Sequence, residues 1–198
     1  MQPARTILSM KRFLFVVLCS TLLLSACGSS KTKAACEGQQ YWNGTIGLCL
    51  PAGWSVIERE GLTERGIAED VIVAFKRDEA VAGQFPTVLV TQEALKQQVD
   101  PAAYSEANVR SVSILPGYKD IDTKNMTLDS VKVSLHIFTA QPQEGEAERR
   151  FYQVSTATKN FGYSVTGLAP LSPPKDVESE IETMLSSVTF VEPAGAGK

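Results

Sequence analysis

Val131, Val133, Leu135 and Ile137 alternate with Lys132, Ser134, His136 and Phe138, the period-two pattern of a strand over 130–139 with one buried face. Two short apolar runs, Val-Ile-Val-Ala-Phe at 71–75 and Thr-Val-Leu-Val-Thr at 87–91, read as buried strands. Residues 150–158 and 163–168 form another strand pair, joined by the hairpin loop Lys159-Asn160-Phe161-Gly162. Between the early strands, residues 58–69 are charged and contain glycine, which predicts an exposed loop. Asp100 followed by Pro101 marks a helix start, a capping side chain before a proline at the first helical position. That helix runs through Ala102, Tyr104, Ala107 and Val109 and is ended by Pro116-Gly117. Ser172-Pro173-Pro174 opens a last helix whose Val177, Ile181, Met184, Leu185 and Val188 form a one-sided apolar stripe. The stripe predicts a helix lying on the sheet face that carries Val131, Val133, Leu135 and Ile137. Residues 192–198 read as an unstructured tail.

Hairpin-linked strands that outnumber single helices indicate an α+β class, an antiparallel β-sheet flanked by α-helices. At 198 residues the chain has room for one core, placed here as a single domain over 36–191. Before it, Lys11 and Arg12 precede the apolar run 13–24 and the small residues Ser25, Ala26, Cys27 and Gly28, the layout of a secretory signal peptide over 1–26. The apolar run is too short for an ordinary spanning helix. Residues 27–35 are small and polar, the composition of a flexible tether.

The quartet Leu24-Ser25-Ala26-Cys27 resembles the lipobox of bacterial lipoproteins. That resemblance implies cleavage before Cys27 and acylation (a diacylglyceryl group and often a further acyl chain such as palmitate) at Cys27. It places the protein in the bacterial cell envelope, lipid-anchored to a membrane. With Gly28 rather than Asp after the cysteine, the sorting pattern implies the outer membrane, facing the periplasm, in a Gram-negative source. Losing the signal removes Arg5, Lys11 and Arg12 and no acid, so 16 Lys+Arg stand against 22 Asp+Glu, a formal charge of −6. Such a domain is repelled by anionic lipid and offers no basic footprint, so nucleic acid is not an expected partner.

Two further cysteines remain, Cys36 and Cys49, astride the turn signal Asn43-Gly44. An even pair in an oxidising compartment reads as one structural disulfide. A redox pair or metal ligands are the competing readings, but redox pairs are usually spaced more closely and a metal needs three or four ligands.

Leu50-Pro-Ala-Gly-Trp54, followed by a helix, three strands and a terminal amphipathic helix, resembles the opening of a PsbP-like domain, and in particular the DcrB-like lipoproteins. The resemblance implies an α/β/α sandwich. It also implies a non-catalytic binding or accessory role, as in the extrinsic subunit of photosystem II, here docked on an envelope protein complex. An N-terminal disulfide hairpin is not expected across that whole family.

Candidate chemistry is sparse. His136 is the sole histidine and sits mid-strand; Asp120 and Asp122 read as an i, i+2 pair on one strand face. Asp176, Glu178, Glu180 and Glu182 read as a solvated helix face favoured near a helix N-terminus. No phosphate loop, metal-ligand spacing or cofactor fingerprint is present in the sequence, so no enzyme, cofactor or metal is expected. The alternative to a docking module is a small-ligand or metal-ion carrier with a pocket between sheet and helix.

Overall fold

The computed structural model describes Cys36 and residues 38–193. The signal peptide, the lipid-attachment residue Cys27, the whole tether and residues 194–198 of the tail lie outside the described residues. Within them the chain runs β1 (Gln39–Trp42), β2 (Gly47–Leu50), β3 (Trp54–Ile57), α1 (Arg59–Glu64), β4 (Val71–Arg77) and β5 (Thr87–Ala94). It continues through α2 (Pro101–Val112), β6 (Lys119–Leu128), β7 (Val131–Ala140), β8 (Arg149–Thr158), β9 (Phe161–Pro170) and α3 (Lys175–Ser186). β1 and β2 form a hairpin of their own, and the other seven strands make one antiparallel sheet in the order β3-β4-β5-β9-β8-β7-β6. α2 carries the chain from β5 to the far edge of the sheet. β6 to β9 then return as a meander until β9 pairs with β5.

Pleating sends Val73, Phe75, Val88, Val90, Leu135, Val154 and Val165 to one face, where they form a single core with Val177, Ile181, Met184 and Leu185 of α3. The β1–β2 hairpin adds Tyr41, Ile46, Leu48 and Leu50 to that core. The opposite face carries two smaller clusters. Leu62 of α1 packs on Val71 and Ala74, and Phe138, Ala140 and Phe151 lie against Val112 and Leu115 at the end of α2. The class is therefore α+β, with helices on both sides of an antiparallel sheet.

α3 starts at Lys175, directly after Pro174, and its stripe faces the core as the spacing predicts. It packs against β8 and β9, where a side chain at Gly167 would collide with Ile181. Val133, Leu135 and Ile137 of β7 share the same core. Asp100 caps α2 by accepting from the Ala103 amide at 3.0 Å.

Several local expectations are corrected. Residues 58–69 contain the short helix α1 rather than being wholly loop, because one apolar residue, Leu62, finds a buried seat on β4. The Asn43-Gly44 signal produces a four-residue loop rather than a two-residue turn. The Asn43 Oδ1 accepts from the amides of Thr45 and Ile46, each at 3.0 Å, and Gly44 takes φ +91°. The loop still sets Gln40 opposite Cys49, and Cys36 is disulfide-bonded to Cys49 with Cα atoms 5.4 Å apart. Ser130 is not in a strand: Asp129 and Ser130, at φ 44° and 72°, form the tight turn between β6 and β7. Polar 119–128, where the sequence sets Asp120 and Asp122 on a strand without bounding it, is the long edge strand β6, whose residues are exposed up to Thr127 apart from half-buried Met126.

Truncating the stripe tests the docking of α3. Ile181→Ala or Leu185→Ala should each cost about 2–5 kcal/mol in urea unfolding. Glu182→Ala, whose Lys124 pair is largely solvated, should cost about 1 kcal/mol or less. Equal midpoints for all three variants would refute the docked helix.

Candidate functional site

The acidic run of α3 is the first site where the sequence expectation fails. Asp176 stays exposed, but Glu178, Glu180 and Glu182 are half-buried and paired with strand residues rather than simply solvated. Glu180 accepts from Trp54 Nε1 at 2.9 Å and from Arg77 Nε at 3.1 Å, reaching β3 and β4. Glu178 accepts from Arg150 at 2.6 Å and from the Tyr152 hydroxyl at 2.8 Å, both on β8. Glu182 accepts from Lys124 of β6 at 2.7 Å, and Asp176 lies 3.7 Å from Arg77. Burial, and then the bond to Glu178, drives the Tyr152 hydroxyl well above the usual tyrosine range. Trp54 and Tyr152 are themselves buried in the apolar core, whereas Arg77, Arg150 and Lys124 are more exposed, and together these partners fix where the helix sits. Beside them an open groove of about 560 Å³ runs between α3 and β6, with Met126 and Leu135 among its apolar lining and Lys124, Glu178 and Glu182 among its polar lining. A second open groove, of about 580 Å³, lies at the hairpin end between the Cys36–Cys49 bridge, Asp129, Thr189 and Val191.

The opposite face of the sheet, beneath α2, has a different chemistry. Between its two apolar clusters lies a hydrogen-bonded layer. The Ser155 and Ser164 hydroxyls are 2.7 Å apart, Ser164 donates to Asn108 Oδ1 at 3.1 Å, and Tyr104 donates to Glu93 at 2.7 Å. Burial, followed by that bond to Glu93, pushes the Tyr104 hydroxyl up to about 12. His136 completes the layer toward the β6 edge. It is 1% exposed and stacks on Phe138, with ring centroids 4.8 Å apart. Its Nε2 lies 3.2 Å from Asp120 Oδ1 and 3.1 Å from the Tyr118 hydroxyl. Asp122 does not join Asp120. A bulge at Ile121 pairs Asp120 with Phe138 and Asp122 with Ile137, so the two carboxylates leave opposite faces.

The sequence places Asp120 and His136 sixteen residues apart with no shared motif, and only the β6–β7 register brings them together. A periodic reading also could not find the carboxylate clasps, because their partners are spread over four strands. Among the described residues no three His, Cys, Asp or Glu side chains are grouped to hold a metal ion. No described helix is long and apolar enough to cross a membrane.

No family model and no curated protein sequence matches this chain. Among solved structures, LpqN of Mycobacterium tuberculosis, described as involved in cell envelope biogenesis, is similar at a TM-score of 0.59 and 15% identity, over 79% of this chain and 86% of its own. CyanoP, the cyanobacterial PsbP of Synechocystis sp. PCC 6803, is similar at a TM-score of 0.51 and 13% identity, over 77% of this chain and 92% of its own. The fold is PsbP-like. At such identities the likeness concerns the fold alone. The PsbP-like sheet here carries the Cys36–Cys49 hairpin at its N-terminal end.

The single imidazole makes the site's acid response readable. Burial holds His136 below the usual histidine range, against the opposing pull of Asp120. The unfolded chain takes that proton near pH 6.5 while the folded chain resists it, so the unfolded state binds more protons below about pH 6.5. Stability therefore falls as pH drops from about 6.5 toward the lowered folded value. His136→Asn should flatten this part of a plot of urea midpoint against pH between about 7 and 5. A profile unchanged by the substitution would rule out His136 as the group responsible.

Proposed function

We propose that this chain is a bacterial envelope lipoprotein, anchored through Cys27, and that its PsbP-like domain is a non-catalytic accessory module docked on an envelope protein complex. The observation that carries the reading is the fold shared with LpqN, a protein involved in cell envelope biogenesis, in a chain whose N-terminus resembles a lipoprotein signal. Burial and pairing of the reactive side chains support it. The carboxylates of α3 are engaged by strand residues, His136 is buried, and Cys36 and Cys49 are tied together. A reactive centre needs such groups free to meet a substrate.

The tether from Cys27 to Cys36 reaches about 30 Å when extended, which lets an acidic domain stand clear of lipid while remaining at the membrane. Docking then falls to exposed apolar side chains, of which Ile114 at 86% exposure and Ile121 at 50% lie just before and within the β6 edge. A metal carrier is a poorer fit, since the described residues hold no grouped ligands. Both grooves described above are open and of mixed polarity, unlike the closed apolar pocket of a carrier.

Cys27→Ser should abolish labelling by a fatty-acid probe and release the protein from the membrane fraction. Labelling that persists in that variant would overturn the lipoprotein reading. Purification from native membranes should recover an envelope protein with the wild type and lose it with Ile114→Asp/Ile121→Asp. Equal recovery with both would overturn docking at this surface.

A further inference from the structure

The asparagines of the chain are Asn43, Asn108, Asn125 and Asn160, and of these only Asn43 is followed by glycine. A backbone amide nitrogen lies one ring closure away from the side-chain carbonyl of the residue before it. Glycine at the second position has no Cβ to obstruct that approach. Val109, Met126 and Phe161 follow the other three, and their side chains do obstruct it.

The loop between β1 and β2 adds to this local chemistry. Asn43 and Gly44 are exposed, so water reaches both. Asn43 Oδ1 accepts from the amides of Thr45 and Ile46, each at 3.0 Å. Two donors converging on one carbonyl oxygen polarise it, and 3.0 Å is within the range at which backbone amides stabilise an oxyanion. Those donors are fixed in advance. Ile46 is 1% exposed in the core, its carbonyl accepts from the Asn43 amide at 3.2 Å, and Gly47 exchanges backbone bonds of 2.8 and 2.9 Å with Thr189. The Gly44 amide, in contrast, has no hydrogen-bond partner among the described residues, and its φ of +91° is open to glycine at little cost. The electrophile is held and polarised while the nucleophile beside it is free.

We propose that Asn43 is a self-modification site, at which the Gly44 amide nitrogen attacks the Asn43 side chain and the Thr45 and Ile46 amides hold the oxyanion that forms. The Gly44 nitrogen gives its proton to solvent hydroxide and bonds to Cγ, and the carbonyl electron pair moves onto Oδ1. The pair then returns, the Cγ–Nδ2 bond breaks, and the nitrogen takes a proton from water and leaves as ammonia. Water opens the resulting succinimide. Attack at Cγ gives aspartate, and attack at the main-chain carbonyl gives isoaspartate. The balance is one water consumed and one ammonia released, with no oxidant or reductant. Aspartate adds a carboxylate to the loop, whereas isoaspartate lengthens the main chain between β1 and β2 by a methylene. The site is independent of lipid anchoring and of docking.

The test compares the intact folded protein with the same chain reduced and unfolded in guanidinium chloride, in a mildly alkaline buffer at one temperature. Peptide mapping by mass spectrometry follows the conversion of each asparagine, and protein L-isoaspartyl methyltransferase detects isoaspartate. Residue 43 should convert at least about tenfold faster in the folded protein, roughly the worth of one hydrogen bond to a developing charge. Asn108, Asn125 and Asn160 should stay intact over the same period. Gly44→Ala should remove most of the conversion, with thiol titration showing that the Cys36–Cys49 bridge stays closed. If that variant opens the bridge, the folded-to-unfolded ratio of the wild type decides alone. Conversion of Asn43 that is no faster in the folded protein, equal conversion at the other asparagines, or a bridged Gly44→Ala variant that converts like the wild type would each overturn the proposal.

Discussion

The docking of α3 onto one face of the sheet is the contact on which the rest of this structure depends. Seven strands present Val, Phe, Leu and Tyr side chains on that face, and water would contact nearly all of them without the helix and the β1–β2 hairpin. The apolar stripe supplies the free energy, but apolar contact alone is poor at fixing the rotation and slide of a helix on a sheet. The carboxylates provide that. Glu180 holds β3 and β4, Glu178 holds β8, and Glu182 holds β6. Exposed ion pairs of this kind add little stability singly, yet the bonds of Glu178 and Glu180 are partly buried and would leave an unpaired charge if the helix shifted.

The end of α3 also gathers the outlying pieces of the fold. The Ser187 hydroxyl accepts from the Cys49 amide of β2 at 2.8 Å and donates to the Met184 carbonyl at 2.9 Å, so the disulfide hairpin is pinned to the helix C-terminus. Thr189 pairs with Gly47 through its backbone, and its hydroxyl donates to Asp129 of the β6–β7 turn at 2.7 Å. The Phe190 amide bonds the same carboxylate at 2.6 Å. The hairpin, the last described residues and the β6–β7 turn therefore meet at one end of the sheet.

The two faces of the sheet divide the labour of the fold. The α3 face is apolar and closed by carboxylates at its margins. The α2 face is closed by apolar clusters at its ends, with serines, Gln153, Asn108 and His136 between them. A face shaped by packing alone would resemble the first. The second carries a desolvation cost for polarity that secondary structure does not require, offset by the hydrogen bonds among Ser155, Ser164 and Asn108.

The sequence by itself determined the elements whose cause is local or periodic. The stripe of α3, the Asp100-Pro101 helix start and the alternation of β7 all follow from side-chain spacing and backbone chemistry, and the α+β class follows from their order. It also paired Cys36 with Cys49, since few partners were available. What only the tertiary structure decided was every feature that depends on a neighbour distant in sequence. β6 is polar because it is an edge strand, and it is a strand because β7 pairs with it; α1 is helical where Leu62 can reach β4. Asp120 and Asp122 part company through one bulge, and the acids of α3 acquire roles only once four strands bring them Trp54, Arg77, Tyr152, Arg150 and Lys124. A period can be read along the chain, whereas a register and a hydrogen-bond partner exist only between segments that folding has brought together.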